Sequence, residues 1–345
     1  MPNAELLQLI DRVRRRLLAI DGVLAAGMID AYGAIWVRIS REVDVLLEQI
    51  MGQQMTFAQV QQVQRYQTLL LEARARVERY AAMAEGNITA VQRQMVSLSQ
   101  ASVRGIVDAA LPPGVDTVAL TRVGVQWVRL PAEAFEMFVG IAGDGSPLAN
   151  LLAPLGQEAS IGIREELRDG IALGRGPRET ARLIRQRFGM PLTRSLNIAR
   201  TETLRAFRES SRLQYAANSN IVRGWERRSA RDDRVCGACL ALDGERYEVE
   251  EPINAHPGDR CAMVPVTIGY RDLGLDVDTP EGDTTTSRDW FEEQPETTQR
   301  AMMGKGKFEA WQAGRFGLKD MAKITHDPVW GDAAIEKPLK ELIGI

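Results

Sequence analysis

The first hundred residues carry a helical pattern of hydrophobic positions. Between Pro2 and Pro112 there is no proline, and apolar residues recur at steps of three and four. One such face comprises Leu6, Leu7, Ile10, Val13, Leu17 and Leu18, and another comprises Val60, Val63, Tyr66, Leu69, Leu70 and Ala73. This spacing predicts long amphipathic helices, which either pack on one another in a bundle or dock on a larger assembly.

The pattern changes after residue 111. "TVALTRVGVQWVRL" reads as β-rich or irregular, a helix is expected near Pro131 to Val139, and the glycines and prolines of "GIAGDGSPLANLLAPLG" predict a flexible connection. Helical periodicity then returns. One helix is expected from Pro177 to Gly189, and a second follows it directly in "LTRSLNIARTETLRAFRESSRLQYAAN".

Beyond these helices the hydrophobic period shortens. Three short segments rich in β-formers, "IVRGWERRSA", "GERYEVEE" and "CAMVPVTIGY", predict a small antiparallel sheet, with a hairpin turn at Asp243-Gly244. Helix resumes at Ser287, which is the expected N-cap.

The sequence therefore predicts an α+β protein in four parts. These are a long-helix N-terminal region (1–112), a connecting segment with a flexible loop (113–160), a core holding the small sheet (161–270) and a helical C-terminal extension (271–345).

Charge is close to balanced overall but not locally. The net charge of -3 argues against a dedicated nucleic-acid-binding protein, which usually carries a large basic excess. From residue 161 to residue 234, however, 17 arginines stand against 9 acidic residues. This arginine-rich stretch is able to face phosphate, an acidic partner or only water.

No uninterrupted apolar run reaches the roughly 18 to 20 residues that a membrane span needs. The N-terminal "MPNAELLQLIDRVRRRLL" places charges where a signal peptide has its apolar segment. We therefore expect a soluble protein made in the cytoplasm, with no membrane partner.

All three cysteines and one of the two histidines fall within 26 residues, as Cys236-x2-Cys239-x16-His256-x4-Cys261. Three thiolates and one imidazole form a donor set that Zn²⁺ binds tetrahedrally. Four protein ligands leave no open position, so the expected zinc is structural. It would crosslink a sheet too small to bury much apolar surface.

Two other interpretations of the cluster remain open at this stage. Cys236 and Cys239 are small buried residues, or they form a redox pair, while His256 caps a turn before Pro257. Redox chemistry of the thioredoxin type favours a motif between a strand and a helix, whereas a hairpin is expected to follow this one.

The order of these motifs resembles a known family. "IARTETLRAFRESSRLQYA", a strand with Trp225, "DDRVCGACLALDGERYEVEE" and "HPGDRC" follow one another as in the phage Mu F-like minor head proteins, also called phage head morphogenesis proteins. The resemblance covers about residues 161 to 265. It implies a structural virion protein inside the head near the portal, which acts in capsid assembly or in DNA packaging and delivery.

The resemblance also implies partners and site residues. The implied partners are the portal protein, capsid or scaffold protein, and packaged DNA through the arginine-rich core. Arg200, Thr201 and Glu202 match the family's Arg-Thr-Glu motif, for which we expect a buried tie from this helix to the sheet.

Members of this family commonly read His-Pro-x-Cys-Arg-Cys, and here Asp259 stands at the first of those cysteines. Either Cys261 completes the metal site, Asp259 contributes an oxygen, or the metal is lost. The count of ligands favours Cys261.

The competing class of function is an enzyme or a free-standing binding module. Glu248 and Glu250 invite comparison with the paired acids of ADP-ribosyltransferases, but alternation places both on one exposed strand face. A nucleic-acid-processing enzyme with a structural zinc and a zinc-dependent DNA-binding module also belong to this competing class. With only His256 and His326 present, histidine-dependent hydrolysis has little support. We therefore expect no enzyme activity.

Overall fold

A computed structural model describes residues 3–279, 284–327 and 331–344. Its contacts divide the chain into two units. Unit 1 comprises Met1–Ala19, Gln92–Val139 and Thr203–Ile345, and unit 2 comprises Ile20–Val91 and Gly140–Glu202. Both units are discontinuous in sequence, so the division into four consecutive segments stays a prediction.

The described residues are mostly helical, and the α+β prediction is confirmed. The α-helices are α1 (Ala4–Gly52), α2 (Phe57–Gln62), α3 (Gln64–Ala110), α4 (Thr117–Arg122), α5 (Leu148–Leu152), α6 (Leu155–Ala172), α7 (Pro177–Ala216), α8 (Gly237–Leu242), α9 (Ser287–Glu292), α10 (Glu296–Met303), α11 (Lys305–Gln312) and α12 (Leu339–Ile343). Short 3₁₀ helices cover Ala132–Phe138, Arg271–Leu273 and Leu318–Met321. The strands are β1 (Val222–Arg228), β2 (Arg246–Glu248), β3 (Ala262–Thr267), β4 (Ala322–Asp327) and β5 (Gly331–Glu336).

The long N-terminal helices form as the periodicity predicts. In unit 2, α1 and α3 bury residues at helical spacing. Tyr32 of α1 and Tyr80 of α3 meet edge to face at 4.9 Å, and the Tyr80 hydroxyl lies 2.7 Å from the Ser195 hydroxyl of α7. These buried contacts show how an apolar stripe, rather than helix propensity alone, stabilises such helices.

The two helices predicted between Pro177 and Asn218 are a single helix, α7, so that prediction is wrong. The helix continues through Gly189 and Pro191. A proline inside a helix costs about 3 kcal/mol, because it lacks an N–H and its ring crowds the preceding turn. Phe188 and Ile198 are buried on either side, and each such side chain contributes about 1.5–3 kcal/mol, which offsets the cost.

The connecting segment is more regular than its composition predicted. Thr117–Arg122 is helix α4 rather than β-rich, with Asp116 as its N-cap. The region from Leu148, expected to be a flexible loop, forms α5, whose Leu148, Leu151 and Leu152 are buried. Burial of these leucines within unit 2 overrides the local glycine and proline signal.

The small sheet of unit 1 has the strand order β2-β1-β3, with both pairings antiparallel. Trp225 lies at its centre, opposite Tyr247 on one side and Pro265 on the other. The three predicted strand segments are therefore confirmed. The connection at Asp243-Gly244, however, joins α8 to β2 and is not a hairpin between two strands.

The C-terminal extension is not wholly helical, as it was expected to be. β4 and β5 form a separate antiparallel pair. The N-cap of α9 is Thr286, one residue before the predicted Ser287, and it forms a capping box with Asp289. Ser287 is instead buried in the first turn, beside the hydroxyl of Ser229.

Helix α1 is long and apolar enough to cross a membrane by length and composition. An 18-residue window has a mean hydropathy of 1.5, and 22% of the window is buried. The expectation of no membrane-spanning segment rested on uninterrupted apolar runs, whereas a segment with up to two charged residues is still apolar enough to span. Core helices of soluble proteins and signal sequences have the same property, so a single such helix is weak evidence.

Candidate metal centre

Two of the four predicted ligands lie at the start of α8. Cys236 is the N-cap, and its sulfur accepts the N–H of Cys239 at 3.4 Å. Gly237 lies between them, and a Cβ at that position would overlap the side chain of Met321 and come within 2.7 Å of that of Glu336. A glycine is therefore needed where this turn passes closely under the β4–β5 segment.

The other two ligands lie in the connection from β2 to β3. His256 and Cys261 flank a turn at Gly258, whose φ is +78°, and the N–H of Asp259 bonds to the carbonyl of His256 at 3.0 Å. The imidazole Nδ1 lies 2.9 Å from the carbonyl oxygen of Pro257, which leaves Nε2 to face the cysteines. Such a bond orients a metal-binding imidazole.

Three of the four side chains, Cys236, Cys239 and His256, form one group, and Cys261 adjoins it through the sulfur of Cys239. The Nε2 atom of His256 lies 3.2 Å from the sulfur of Cys236 and 3.3 Å from that of Cys239, and the sulfurs of Cys239 and Cys261 are 3.3 Å apart. Zn–S bonds of about 2.3 Å place tetrahedral sulfurs about 3.7 Å apart. Cys236, Cys239 and His256 are therefore close to zinc-binding separations, whereas Cys261 lies outside the group whose donor atoms are all within 4.8 Å of one another and would have to approach it to complete a tetrahedron.

Asp259 is the alternative oxygen donor, and it is near enough to be considered. The donor atoms of Cys239, Asp259 and Cys261 lie within 4.8 Å of one another, as do those of Cys236, Cys239 and His256. Both carboxylate oxygens of Asp259 are already engaged, however. Oδ1 accepts the N–H of Cys261 at 2.6 Å, and Oδ2 lies 2.5 Å from Arg227. These bonds favour Cys261 as the fourth ligand.

Two buried arginines face Asp259. The side chains of Arg227, Arg208 and Asp259 are 1%, 7% and 0% exposed, and Arg208 donates to the carbonyls of Asp259 and Cys261 at 2.7 and 3.0 Å. Two cations and one anion leave one positive charge without compensation. Zn²⁺ with three thiolates and a neutral imidazole carries one net negative charge, so this donor set fits the arginines around it.

The pKa values of Arg227, Cys236 and His256 point the same way, whereas the hydrogen bond with Cys236 raises the pKa of Cys239. Burial lowers the pKa of Arg227, but the negative charge of Cys261 and Asp259 outweighs it and raises that pKa above its usual range. The hydrogen bond with Cys239 lowers the pKa of Cys236 to about 4. Burial lowers the pKa of His256, and the bond to Cys236 more than reverses this, raising it to about 9. A cation bound here would replace the imidazolium proton.

Residues 162–263 match the family described as Phage Mu protein F like protein. The match contains all four predicted ligands and covers just under a third of the chain. It confirms the family resemblance for this Mu F-like region (residues 162–263). No curated protein and no solved structure matches the chain.

The C-x-x-C motif of the Mu F-like region begins a helix, where a hairpin was predicted. The expected hairpin was the argument against a thioredoxin-like pair, and it is wrong, because the motif does lie between a strand, β1, and a helix, α8. What distinguishes the site from a simple redox pair is instead the third sulfur and the imidazole, which both lie 3.3 Å from the sulfur of Cys239.

The Arg-Thr-Glu motif lies in the part of α7 that belongs to unit 2. Arg200 pairs with Asp21 of α1 at 2.8 Å, and the buried Glu202 accepts the N–H of Gly143 at 3.2 Å. Both contacts lie within unit 2, and the expected tie from this helix to the sheet stays a prediction.

Trp225 anchors the sheet of the Mu F-like region. It is fully buried, its ring stacks on Tyr247 at 4.3 Å, and its indole N–H donates to the carbonyl of Glu251 at 3.1 Å. The bond to Glu251 holds the start of the connection that carries His256. Trp225 and Arg227 lie two residues apart on β1 and so on the same face, and both donate to carbonyls of the ligand loop (residues 249–261), at Glu251 and at Ile253.

Sequence reasoning missed Arg208 and Arg227. Both are arginines in an arginine-rich stretch, and such residues are usually solvent-exposed. Arg227 even adjoins two other charged residues in β1, Glu226 and Arg228, which are also buried. No signal in a single sequence distinguishes these from the exposed arginines nearby.

Proposed function

We propose that this protein is a structural minor head protein of a tailed phage or phage-like particle. It lies inside the head at the portal vertex and acts in capsid assembly or in DNA packaging and delivery. The observation that carries the proposal is the family match of residues 162–263, in a chain whose fold is α+β. The proposed partners are the portal protein and capsid or scaffold protein.

A second part of the proposal is a structural Zn²⁺ held by Cys236, Cys239, His256 and Cys261. These residues come from α8 and from the connection between β2 and β3, so an ion bound by all four would join two segments that share little regular hydrogen bonding. The ion would supply crosslinking only, since a full set of protein ligands leaves no position for a substrate. This favours a structural role over an enzymatic one.

Packaged DNA is a further proposed partner. Many arginines of the 161–234 stretch form internal pairs, such as Arg187 with Glu165 and Arg194 with Glu158. Arg178, Arg182 and Arg185 differ, because they are exposed at helical spacing on α7 and form no ion pair within the described part of the chain. These three are the residues best placed to meet phosphate.

Particle purification tests the proposal. The protein should copurify with heads, in a copy number related to the symmetry of the portal, and a reconstruction around the unique vertex should contain density for its long helices. Recovery of the protein only from the soluble fraction of infected cells, with heads that assemble normally in its absence, would refute a head role.

DNA contact is tested separately by salt dependence. If Arg178, Arg182 and Arg185 bind phosphates, their replacement by glutamine should lower the slope of log affinity against log salt by about one for each arginine replaced. An unchanged slope would remove DNA from the proposed partners and leave the head assignment intact.

A further inference from the structure

A cavity of about 410 Å³ lies within unit 1, between the start of α1 and the segment that follows β1, and charged side chains are part of its lining. Arg14 and Arg15 line it from α1, and Arg228 and Arg231 line it from the other side. Two acidic residues, Asp11 and Asp232, also border the cavity. Four arginines and two aspartates therefore line one space, an excess of two positive charges.

Most of the acidic charge at the cavity is already used. Asp232 forms a bidentate pair with Arg260, at 2.5 and 2.7 Å, and this bond lowers the pKa of Asp232. Arg228 pairs at 2.8 Å with Glu226, a residue that does not itself line the cavity. In each of these pairs the carboxylate neutralises its own arginine, so it does not compensate the charge of the other arginines.

Two of the lining arginines have no carboxylate partner within the described ranges. Arg15 is exposed on α1 and forms no ion pair there. Arg231 donates to the carbonyl and the hydroxyl of Thr285, at 2.6 and 3.1 Å, and neither oxygen carries charge. The cavity therefore has an excess of positive charge from these two side chains.

Arg14 also lines the cavity and has one carboxylate partner. Its side chain is 16% exposed, and burial lowers its pKa. It pairs with the largely exposed Asp11 at 2.9 Å and donates to the backbone carbonyls of Arg228 and Ser229, while its Nε has no hydrogen-bond partner in the part of the chain that the structure describes. A buried cation with one exposed partner is stabilised by a nearby anion.

We propose that this cavity is a phosphate-binding site. Guanidinium groups bind phosphate oxygens through paired, charge-assisted hydrogen bonds, and a phosphate group offers acceptors in several directions at once. Arg15 lines the cavity from α1 and Arg231 from the segment after β1, so a phosphate group bound between them would accept from both. Two uncompensated guanidinium groups match a phosphate better than a carboxylate, which carries a single charge. The site does not depend on the proposed head function.

The test uses the full chain, with inorganic phosphate as the probe and sodium chloride at equal ionic strength as the reference. Saturable binding of phosphate to the wild type is expected by calorimetry. The double variant Arg15→Ala/Arg231→Ala, which alters two exposed side chains, should bind about tenfold more weakly for each arginine removed. The matched control is Arg12→Ala/Arg16→Ala, with the same charge change on exposed positions of α1 that do not line the cavity.

A labelled duplex oligonucleotide distinguishes the source of the phosphate. If phosphate displaces it and Arg15→Ala/Arg231→Ala weakens it while Arg12→Ala/Arg16→Ala does not, the ligand is a nucleic-acid backbone. Phosphate binding without competition assigns a free phosphate or phosphate monoester. Absence of saturable phosphate binding, or equal binding by the wild type and both double variants, overturns the proposal.

Discussion

Asp259 is buried against two arginines, and replacing its carboxylate by an amide measures how much that charge stabilises the protein. Asp259→Asn retains the shape of the side chain and an oxygen for the N–H of Cys261, which now lies 2.6 Å away. It removes the negative charge that lies 2.5 Å from Arg227. The change therefore isolates electrostatics from packing.

The expected magnitude follows from burial and distance. Two unit charges about 4 Å apart attract by about 4 kcal/mol at an effective dielectric constant of about 20. Loss of one partner from a buried pair costs about 3–5 kcal/mol, because the remaining charge stays out of water. Arg227 is 1% exposed and has little means of reaching solvent. We expect the free energy of unfolding of unit 1 to fall by about 3–4 kcal/mol.

Urea unfolding followed by tryptophan fluorescence measures this change, since Trp225 lies on the same strand as Arg227, the partner of Asp259. The control is Asp278→Asn, which breaks an ion pair with Arg271 at 2.7 Å whose aspartate is 84% exposed. That variant should change stability by less than about 1 kcal/mol. A loss below about 1 kcal/mol for Asp259→Asn, equal to the control, would refute the idea that the buried charge stabilises the site.

Three further changes test the metal site, the long helix and a helix cap. Purified protein should carry about one equivalent of zinc by elemental analysis, and Cys239→Ser should release it; a zinc-free yet fully folded wild type would contradict the site. Pro191→Ala should raise the free energy of unfolding by about 1–3 kcal/mol in a thermal melt, since alanine restores a helical N–H, and a lower melting temperature would contradict this. Thr286→Ala should cost about 1 kcal/mol by losing the cap that accepts from Asp289, whereas Thr286→Ser should cost little.

Elements with a long, regular apolar period could be predicted from the sequence. α1 and α3 run over 49 and 47 residues, so the period repeats often enough to outweigh single exceptions. The same reasoning failed at Gly189, where a local rule ended a helix that continues through Pro191 because its neighbours are buried. Helix propensity depends on neighbouring residues in the sequence. The packing that made one continuous helix rather than two depends on residues far away in the sequence.

Short elements were harder to predict for a physical reason. α8 has 6 residues, which is less than two full turns, and no period is detectable over that length. The β4–β5 pair was missed because it contains few β-branched residues, and its buried Ala333 and Ala334 carry little hydrophobic signal. Both elements border Gly237, so the immediate surroundings of the cluster were the part least accessible to sequence reasoning.

The grouping of Cys236, Cys239 and His256 could be predicted, because rare residues at zinc spacing are informative without any fold. The buried charges around these side chains could not be predicted from the sequence. Whether an arginine faces water or a buried carboxylate depends on which segments meet, and Arg208 and Asp259 are separated by 51 residues in sequence. The pairing of Asp259 with these arginines emerges only once α7 and the ligand loop are placed together within unit 1.

That pairing explains how an aspartate is accommodated where the family commonly has cysteine. Arg208 and Arg227 are both buried beside position 259, so this position requires a negative charge whichever side chain supplies it. A metal-bound thiolate and a carboxylate each provide that charge, whereas a neutral residue of similar size does not. Cys261 remains available as a sulfur ligand because Asp259 is held by the arginines. The substitution thus alters which side chain carries the charge while preserving the electrostatic balance around the four predicted donors.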